Sequence, residues 1–314
     1  MRFVFVMDPV ETVLVDADTS FAIMLEMQRR GHRVDHCLAT DVGLVDGRVF
    51  ATVRPATMRR DPEDPVVLGE PERIALDAGV DAVFVRKDPP FDSNYLWLTL
   101  VLERLRGRTL VVNDPQGLRN ANEKLYACHF PEVTPKTLVD SDKQRIKDFV
   151  LSVGGHAVIK PIDGHGGEGV FQLHKDDKNV NALIEAVTRH GTRLAMVQEF
   201  LPAVVEGDKR ILLIDGEVVG AILRVPRHDE VRSNIHVGGS VVATEISPDD
   251  RRIIDLVRPK LAADGLYFVG LDVIGGRLTE VNVTSPTGIQ QMSRLSGEVR
   301  EGLVVDWAER RVRG

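Results

Sequence analysis

Only two cysteines, Cys37 and Cys128, occur in the 314 residues, and they form no CxxC or Cys/His ligand spacing. Two isolated thiols exclude a disulfide framework and a thiolate metal site, and they suit a reducing compartment. Positive charge is also in deficit: 40 Lys and Arg stand against 47 Asp and Glu, for a net charge of −7. Without a basic excess to neutralise a phosphate backbone, nucleic acid is not an expected partner. No apolar run approaches the ~20 residues that span a bilayer, and Met1 to Met7 is too short for a signal-peptide core. A soluble, cytoplasmic protein with no membrane partner is expected. Two nucleotide signatures are missing as well. No GxGxxG follows the first apolar segment, and no GK[ST] is present, which excludes the dinucleotide fingerprint and the Walker A loop.

What is present suffices for two domains with proper cores, since 43% of the residues are hydrophobic. The first ~120 residues alternate strand and helix signals. Residues 3–7 read as a strand, 18–30 as a helix capped by Asp18, 81–85 as a second strand, 93–106 as a helix and 109–112 as a third strand. Such alternation predicts a parallel sheet with helices on its faces. Residues 41–71 read as a hairpin at Asp46-Gly47 followed by a polar surface loop. The character changes near residues 120–123. Helices are expected over 141–153, 179–189, 248–261 and 298–310, with strands at 156–160, 170–173 and 194–200 and a hairpin at Asp215-Gly216. The fold class expected is therefore α/β, with a Rossmann-like parallel-sheet domain over residues 1–122 and an α+β part over 123–314.

The stretch Tyr267-Phe-Val-Gly-Leu-Asp-Val-Ile-Gly-Gly-Arg-Leu-Thr-Glu-Val-Asn-Val283 reads as two apolar strands joined at Gly-Gly. It sets Asp272, Glu280 and Asn282 inside an apolar pattern. Side chains two apart on a strand share a face, so Glu280 and Asn282 point the same way. A two-residue turn would pair Asp272 with Thr279 and turn it away from them. A three-residue loop would pair Asp272 with Glu280 and gather all three oxygens. Two carboxylates and an amide oxygen so gathered suit Mg²⁺, a hard cation that shares its shell with substrate phosphates.

A second signal is Lys160-Pro-Ile-Asp-Gly-His-Gly-Gly-Glu-Gly-Val170. Glycines such as Gly164, Gly166 and Gly167 let backbone N–H groups close on phosphate oxygens, and Lys160 supplies a point charge. Lys124, near the expected domain junction, offers a second phosphate lysine. Gln198-Glu-Phe-Leu-Pro202 reads as a linker whose groups, at Gln198, Glu199 and Leu201, can meet an adenine edge. Asp208 can then hold ribose hydroxyls and Arg210 a phosphate. In the N-terminal part the strand 81–85 runs into Arg86-Lys-Asp-Pro-Pro-Phe91, where ligands of parallel sheets bind and two cations can hold a carboxylate.

Taken in order, these segments resemble the ATP-grasp ligases and, within them, the bacterial glutathione synthetases. The matching stretches are Val6-Met-Asp-Pro9, Ser20-Phe-Ala22, Arg86-Lys-Asp-Pro-Pro-Phe-Asp92, Val112-Asn113, Asn122-Glu-Lys124, Lys160-Pro-Ile-Asp-Gly-His-Gly-Gly167, Gly207-Asp-Lys-Arg210, Phe268-Val-Gly-Leu-Asp272 and Thr279-Glu-Val-Asn-Val-Thr-Ser-Pro-Thr287. The resemblance implies an ATP-grasp domain with a lid at about 123–200 and a flap at about 226–240. It implies ATP-dependent joining of γ-glutamylcysteine and glycine through an acyl phosphate, giving glutathione, ADP and phosphate. Mg²⁺ would sit on Asp272, Glu280 and Asn282, and Lys124 and Lys160 would hold the α- and β-phosphates. Arg210, Arg224 and the flap's Arg232 would be catalytic, with Arg86, Asp88, Ser285, Pro286 and Thr287 on the substrate. A homo-oligomer is the accompanying expectation. The flap departs from the family pattern, with Ser240 after two glycines where an arginine is common, and His236 where a small residue is usual.

Overall fold

The computed structural model describes residues 1–164, 166–226 and 240–314. The first sheet contains β1 (Arg2–Val6), β2 (Arg33–Cys37), β3 (Val42–Val45), β4 (Arg48–Met58), β5 (Val66–Leu68), β6 (Glu72–Ala75), β7 (Ala82–Val85) and β8 (Leu110–Val112). Its centre, in the order β2-β1-β7-β8, is parallel. Phe3, Val4, Phe5 and Val6 are all fully buried, as a strand covered on both faces requires. Helices α1 (Thr19–Arg29) and α2 (Ser93–Leu102) pack against this sheet, and α3 (Pro115–Asn120) packs on α2. The Asp18 carboxylate accepts from Phe21 N at 2.6 Å, which caps α1.

Two strands depart from the expected pattern. β2 is absent from the sequence reading because Asp35 and His36 interrupt its apolar run. Asp35 is nonetheless fully buried, held by Arg2 at 2.6 Å and Arg33 at 3.1 Å. The segment read as hairpin plus surface loop does form the hairpin at Asp46-Gly47, between β3 and β4, but β4 runs on as an 11-residue strand that joins the sheet antiparallel to β2. Its buried face (Val49, Ala51, Val53) alternates with Arg48, Arg54 and other residues turned outward, and those polar residues disguised it.

The second sheet comprises β9 (Thr137–Asp140), β10 (His156–Pro161), β11 (Phe171–His174) and β12 (Ala195–Glu199), antiparallel in the order β11-β10-β12-β9. With α4 (Lys143–Ser152) and α5 (Val180–Thr188) it encloses a separate small core around Ile146, Ile159, Leu173 and Ile184. The third sheet, order β15-β14-β13-β16-β17, is also antiparallel: β13 (Asp208–Ile214), β14 (Glu217–Val225), β15 (Ser240–Ala243), β16 (Phe268–Ile274) and β17 (Arg277–Asn282). Helix α6 (Pro248–Ala263) packs on β17, α7 (Ile289–Ser296) on β14 and β15, and α8 (Glu301–Arg313) on β13, β14 and α1.

One hydrophobic cluster runs from Val4, Val83 and Val85 of the first sheet to Ile211, Leu271 and Val281 of the third. Those two sheets therefore share a core, and the second sheet stands on its own. Two polar residues, buried Asn113 and half-buried Glu123, pin the shared junction. Asn113 donates to Phe268 O and Val283 O at 2.8 Å each and accepts from Phe268 N at 2.7 Å. Glu123 accepts from Val283 N, Thr284 N and Thr284 Oγ1 at 2.8 to 3.1 Å. A buried network satisfied in this way is rigid, so the end of β17 has a fixed position.

Candidate active site

A cavity of about 920 Å³ opens where the carboxyl ends of the first sheet, the inner face of the second and the β13–β17 sheet meet. Every site residue expected from sequence lines it except Arg232, which with the rest of the expected flap interior lies outside the described residues.

At its floor lies the β16–β17 hairpin, and its geometry resolves the turn question in an unforeseen way. Ile274 pairs with Arg277, so the turn is the two-residue Gly275-Gly276, at φ of 54° and 72°. A β-bulge then leaves Thr279 as an extra residue, and Asp272 stands opposite Glu280, with Asn282 opposite Gly270. Thr279 Oγ1 donates to Asp272 O at 3.1 Å and holds the bulge. The short turn and the gathered oxygens thus coexist, because the bulge restores the register the turn alone would lose. A Cβ on Gly276 would lie 3.0 Å from Asp249 Oδ2 at a φ that L-residues avoid. Gly276→Val is expected to cost about 1–3 kcal/mol in urea unfolding, and an unchanged midpoint would contradict the turn geometry.

Above the hairpin, four cations gather with three carboxylates: Lys124, Lys160, Arg210 and Arg224 with Asp208, Asp272 and Glu280. Arg210 lies opposite Asp272 across β13 and β16 and grips it in a two-pronged pair, Nε to Oδ1 at 2.5 Å and Nη2 to Oδ2 at 3.0 Å. Arg224, opposite Asp208 across β13 and β14, reaches Asp208 Oδ2 at 2.5 Å and Asp272 Oδ1 at 3.0 Å. Burial works to raise the Asp272 carboxyl, but Arg210 and Arg224 outweigh it and hold the group well below the ordinary carboxylate range. Burial pushes Asp208 up to about 7, aided by the charge on Asp272 and opposed by Arg224. Lys124 Nζ meets Glu280 Oε1 at 3.0 Å and also donates to Gly164 O, so it bridges the hairpin and the glycine loop. Burial raises the Glu280 carboxyl and the two lysines more than offset this, leaving it lowered.

The glycine loop follows β10, with Gly166 and Gly167 at φ of 63° and 83°. Lys160 sits at the strand's end, half-buried, and among the described residues no carboxylate lies within ion-pair distance. Burial lowers its ammonium pKa, with Glu280 opposing and Lys124 assisting. Opposite, Gln198 is buried and donates to Thr137 Oγ1 at 3.0 Å, while Glu199 accepts from Lys136 N at 2.9 Å. Phe200 stacks on His156 with ring centroids 3.8 Å apart, and Leu201 completes this wall.

At the first sheet's edge, buried Arg86 donates from Nε to Ser20 Oγ and from Nη2 to Pro286 O, both at 2.9 Å. Burial lowers the Arg86 pKa. Asp88, Ser285 and Thr287 line the same region. Asp8 went unassigned in the sequence reading, yet it organises this loop by accepting from Lys87 Nζ at 2.7 Å and Asp88 N at 3.0 Å. Its place directly after the first strand, at the carboxyl end of a parallel sheet, was the available signal.

Comparison with known proteins gives consistent matches. A family model described as prokaryotic glutathione synthetase, N-terminal domain, matches residues 1–119, and one described as its ATP-grasp domain matches residues 123–297. The chain is 49% identical to a glutathione synthetase of Gloeobacter violaceus, covering 98% of this chain and 96% of that one. It is 44% identical to a glutathione synthetase of Synechocystis sp., covering 99% of each. Among solved structures, D-cycloserine synthetase DcsG has a TM-score of 0.65 at 17% identity, covering 99% of both chains. The ATP-grasp ligase PsnB, complexed with a precursor peptide and AMPPNP, also has a TM-score of 0.65 at 17% identity, covering 100% of this chain and 98% of that one. At such identities these structures speak for the fold alone.

Proposed function

The chain belongs to the prokaryotic glutathione synthetase family, and from that premise we propose how its cavity joins γ-glutamylcysteine to glycine at the expense of ATP. The observation that carries this reading is the single cavity in which the phosphate lysines, the arginine–carboxylate cluster and Arg86 all meet. ATP lies with its base along the Gln198–Leu201 wall and its phosphates between Lys124, Lys160 and the glycine loop. Arg86 and the Ser285–Thr287 loop hold the dipeptide so that its cysteinyl carboxylate points at the γ-phosphorus. That carboxylate attacks, ADP leaves, and an acyl phosphate forms. The neutral amine of glycine then attacks the acyl carbon, phosphate departs, and the amine loses its proton.

Phosphoryl transfer asks a protein mainly for placement and charge neutralisation. Arg210 and Arg224 supply the second, since Asp272 holds both guanidinium groups in place before substrate arrives. Asp272, Glu280 and Asn282 are hard oxygen donors on neighbouring rungs of one hairpin, a set that fits Mg²⁺. Among the described residues no three His, Cys, Asp or Glu side chains form a metal cluster by themselves. A cation held here would therefore take the rest of its shell from amide, water and phosphate oxygens. When bound, it would offset the triphosphate charge that four cations, already opposed by three carboxylates, leave unbalanced. We extend the family reading to a cytoplasmic homo-oligomer.

The test is phosphate release from ATP with γ-glutamylcysteine and a series of amines. Release that requires the dipeptide and glycine is expected, with glutathione as the product. Release with D-alanine but none with glycine would overturn the assignment.

A further inference from the structure

Among the cavity-lining residues, Nη1 of Arg86, Nε of Arg224 and Oε1 of Gln291 are buried with no hydrogen-bond partner among the described residues; Arg224 belongs to the arginine–carboxylate cluster, and the other two lie outside it. One is a cationic donor and the other a neutral acceptor. Neither is slack. Arg86 is fixed by Ser20 and Pro286 and lies over the Phe268 ring at 5.3 Å. Gln291 follows Gln290 on α7, and Gln290 is pinned by donating to Val15 O at 3.0 Å and Asp18 O at 2.6 Å. Buried polar groups are ordinarily satisfied, so two exceptions on one wall call for a ligand that satisfies both.

The surrounding charges define that ligand. Arg86 makes no ion pair within the described residues, and its guanidinium asks for an anion. Asp18 and Asp88 stand on the same wall, close enough for their charges to act on Arg86. They favour a cation in the part of the cavity around Arg86. A group bearing both an anion and a cation on neighbouring atoms answers the whole set, and an α-amino acid head is such a group. In γ-glutamylcysteine this head is the glutamyl α-carbon, with its ammonium and carboxylate. Glycine is also a zwitterion, but its amine must reach the reacting carbon at the arginine cluster.

We infer that Gln291 is a specificity residue whose Oε1 accepts a hydrogen bond from the α-ammonium of the γ-glutamyl group while Arg86 Nη1 binds its carboxylate. This inference rests on the ligase reading above. A substrate lacking the amine leaves the acceptor unsatisfied, and a site built to hydrogen-bond a polar group rejects the analogue without it.

The experiment compares the native protein with Gln291→Met, which keeps the side chain's length and removes its hydrogen bonding. Each is assayed with γ-glutamylcysteine, with glutarylcysteine (no α-amino group) and with 4-aminobutyrylcysteine (no α-carboxylate). The native protein should show a KM for glutarylcysteine about tenfold or more above that for γ-glutamylcysteine. Gln291→Met should raise the KM for γ-glutamylcysteine about tenfold and leave that for glutarylcysteine unchanged, because the interaction is already gone. The KM values for ATP and glycine report on folding and should stay put. An equal loss with both dipeptides, no loss at all, or a loss confined to discrimination against the carboxylate-free analogue overturns the inference. A native protein that does not ligate γ-glutamylcysteine overturns the ligase reading instead.

Discussion

Glu280→Gln is expected to lower dipeptide-dependent phosphate release about a hundredfold to a thousandfold with little change in thermal unfolding. The substitution keeps the side chain's volume and removes one charge from the face that carries Asp272 and Asn282. Lys124 retains Gly164 O as a partner, so the change does not strand a buried cation. The KM for γ-glutamylcysteine should move little, because Glu280 lies on the hairpin and not beside Arg86. Turnover within threefold of the native value would mean that charge neutralisation at the triphosphate does not run through this hairpin.

Arg210→Met should have the second largest effect, and on stability as well as rate. It removes both prongs of the pair to a carboxylate that is 5% exposed, leaving Asp272 with Arg224 alone. Breaking a buried pair from one side costs about 3 kcal/mol or more, because the remaining charge loses most of its compensation. The pH dependence has a definite sign. Asp272 has a depressed pKa in the folded state, so its contribution is complete above the unfolded carboxylate pKa and is lost as pH falls through the folded value. Without Arg210 the folded pKa rises, and protonation then relieves the buried charge. The stability gap between variant and native protein should accordingly be widest near neutrality and narrow as the pH drops below about 4. Urea unfolding at pH 7 and pH 3 measures both. A gap that widens on acidification would show that Arg210 acts on stability through packing, not through Asp272.

Local chemistry was readable in the chain before folding. The glycine loop after Lys160 and the carboxylates and amide flanking Gly275-Gly276 are short segments in which residue type alone restricts what can be bound. The strands β1, β7 and β8 and the helices α1 and α2 were readable for the same reason, because apolar periodicity is a local property, whereas β2 and the length of β4 were not. The parallel centre of the first sheet and the antiparallel hairpins of the third match what that pattern predicts.

Tertiary structure decided everything that depends on partners distant in sequence. β2 exists as a strand because Arg2 and Arg33 neutralise Asp35, and no window of five residues contains that information. Thr279 bulges out of its ladder because the neighbouring strand, Asn113 and Glu123 fix where β17 must end. The grip of Arg210 on Asp272 spans 62 residues of chain. The chain by itself therefore determined which oxygens, lysines and glycines were available. Their convergence was determined by packing, because the cost of burying a charge or an unpaired polar group is settled only when the group that compensates it arrives from elsewhere in the fold.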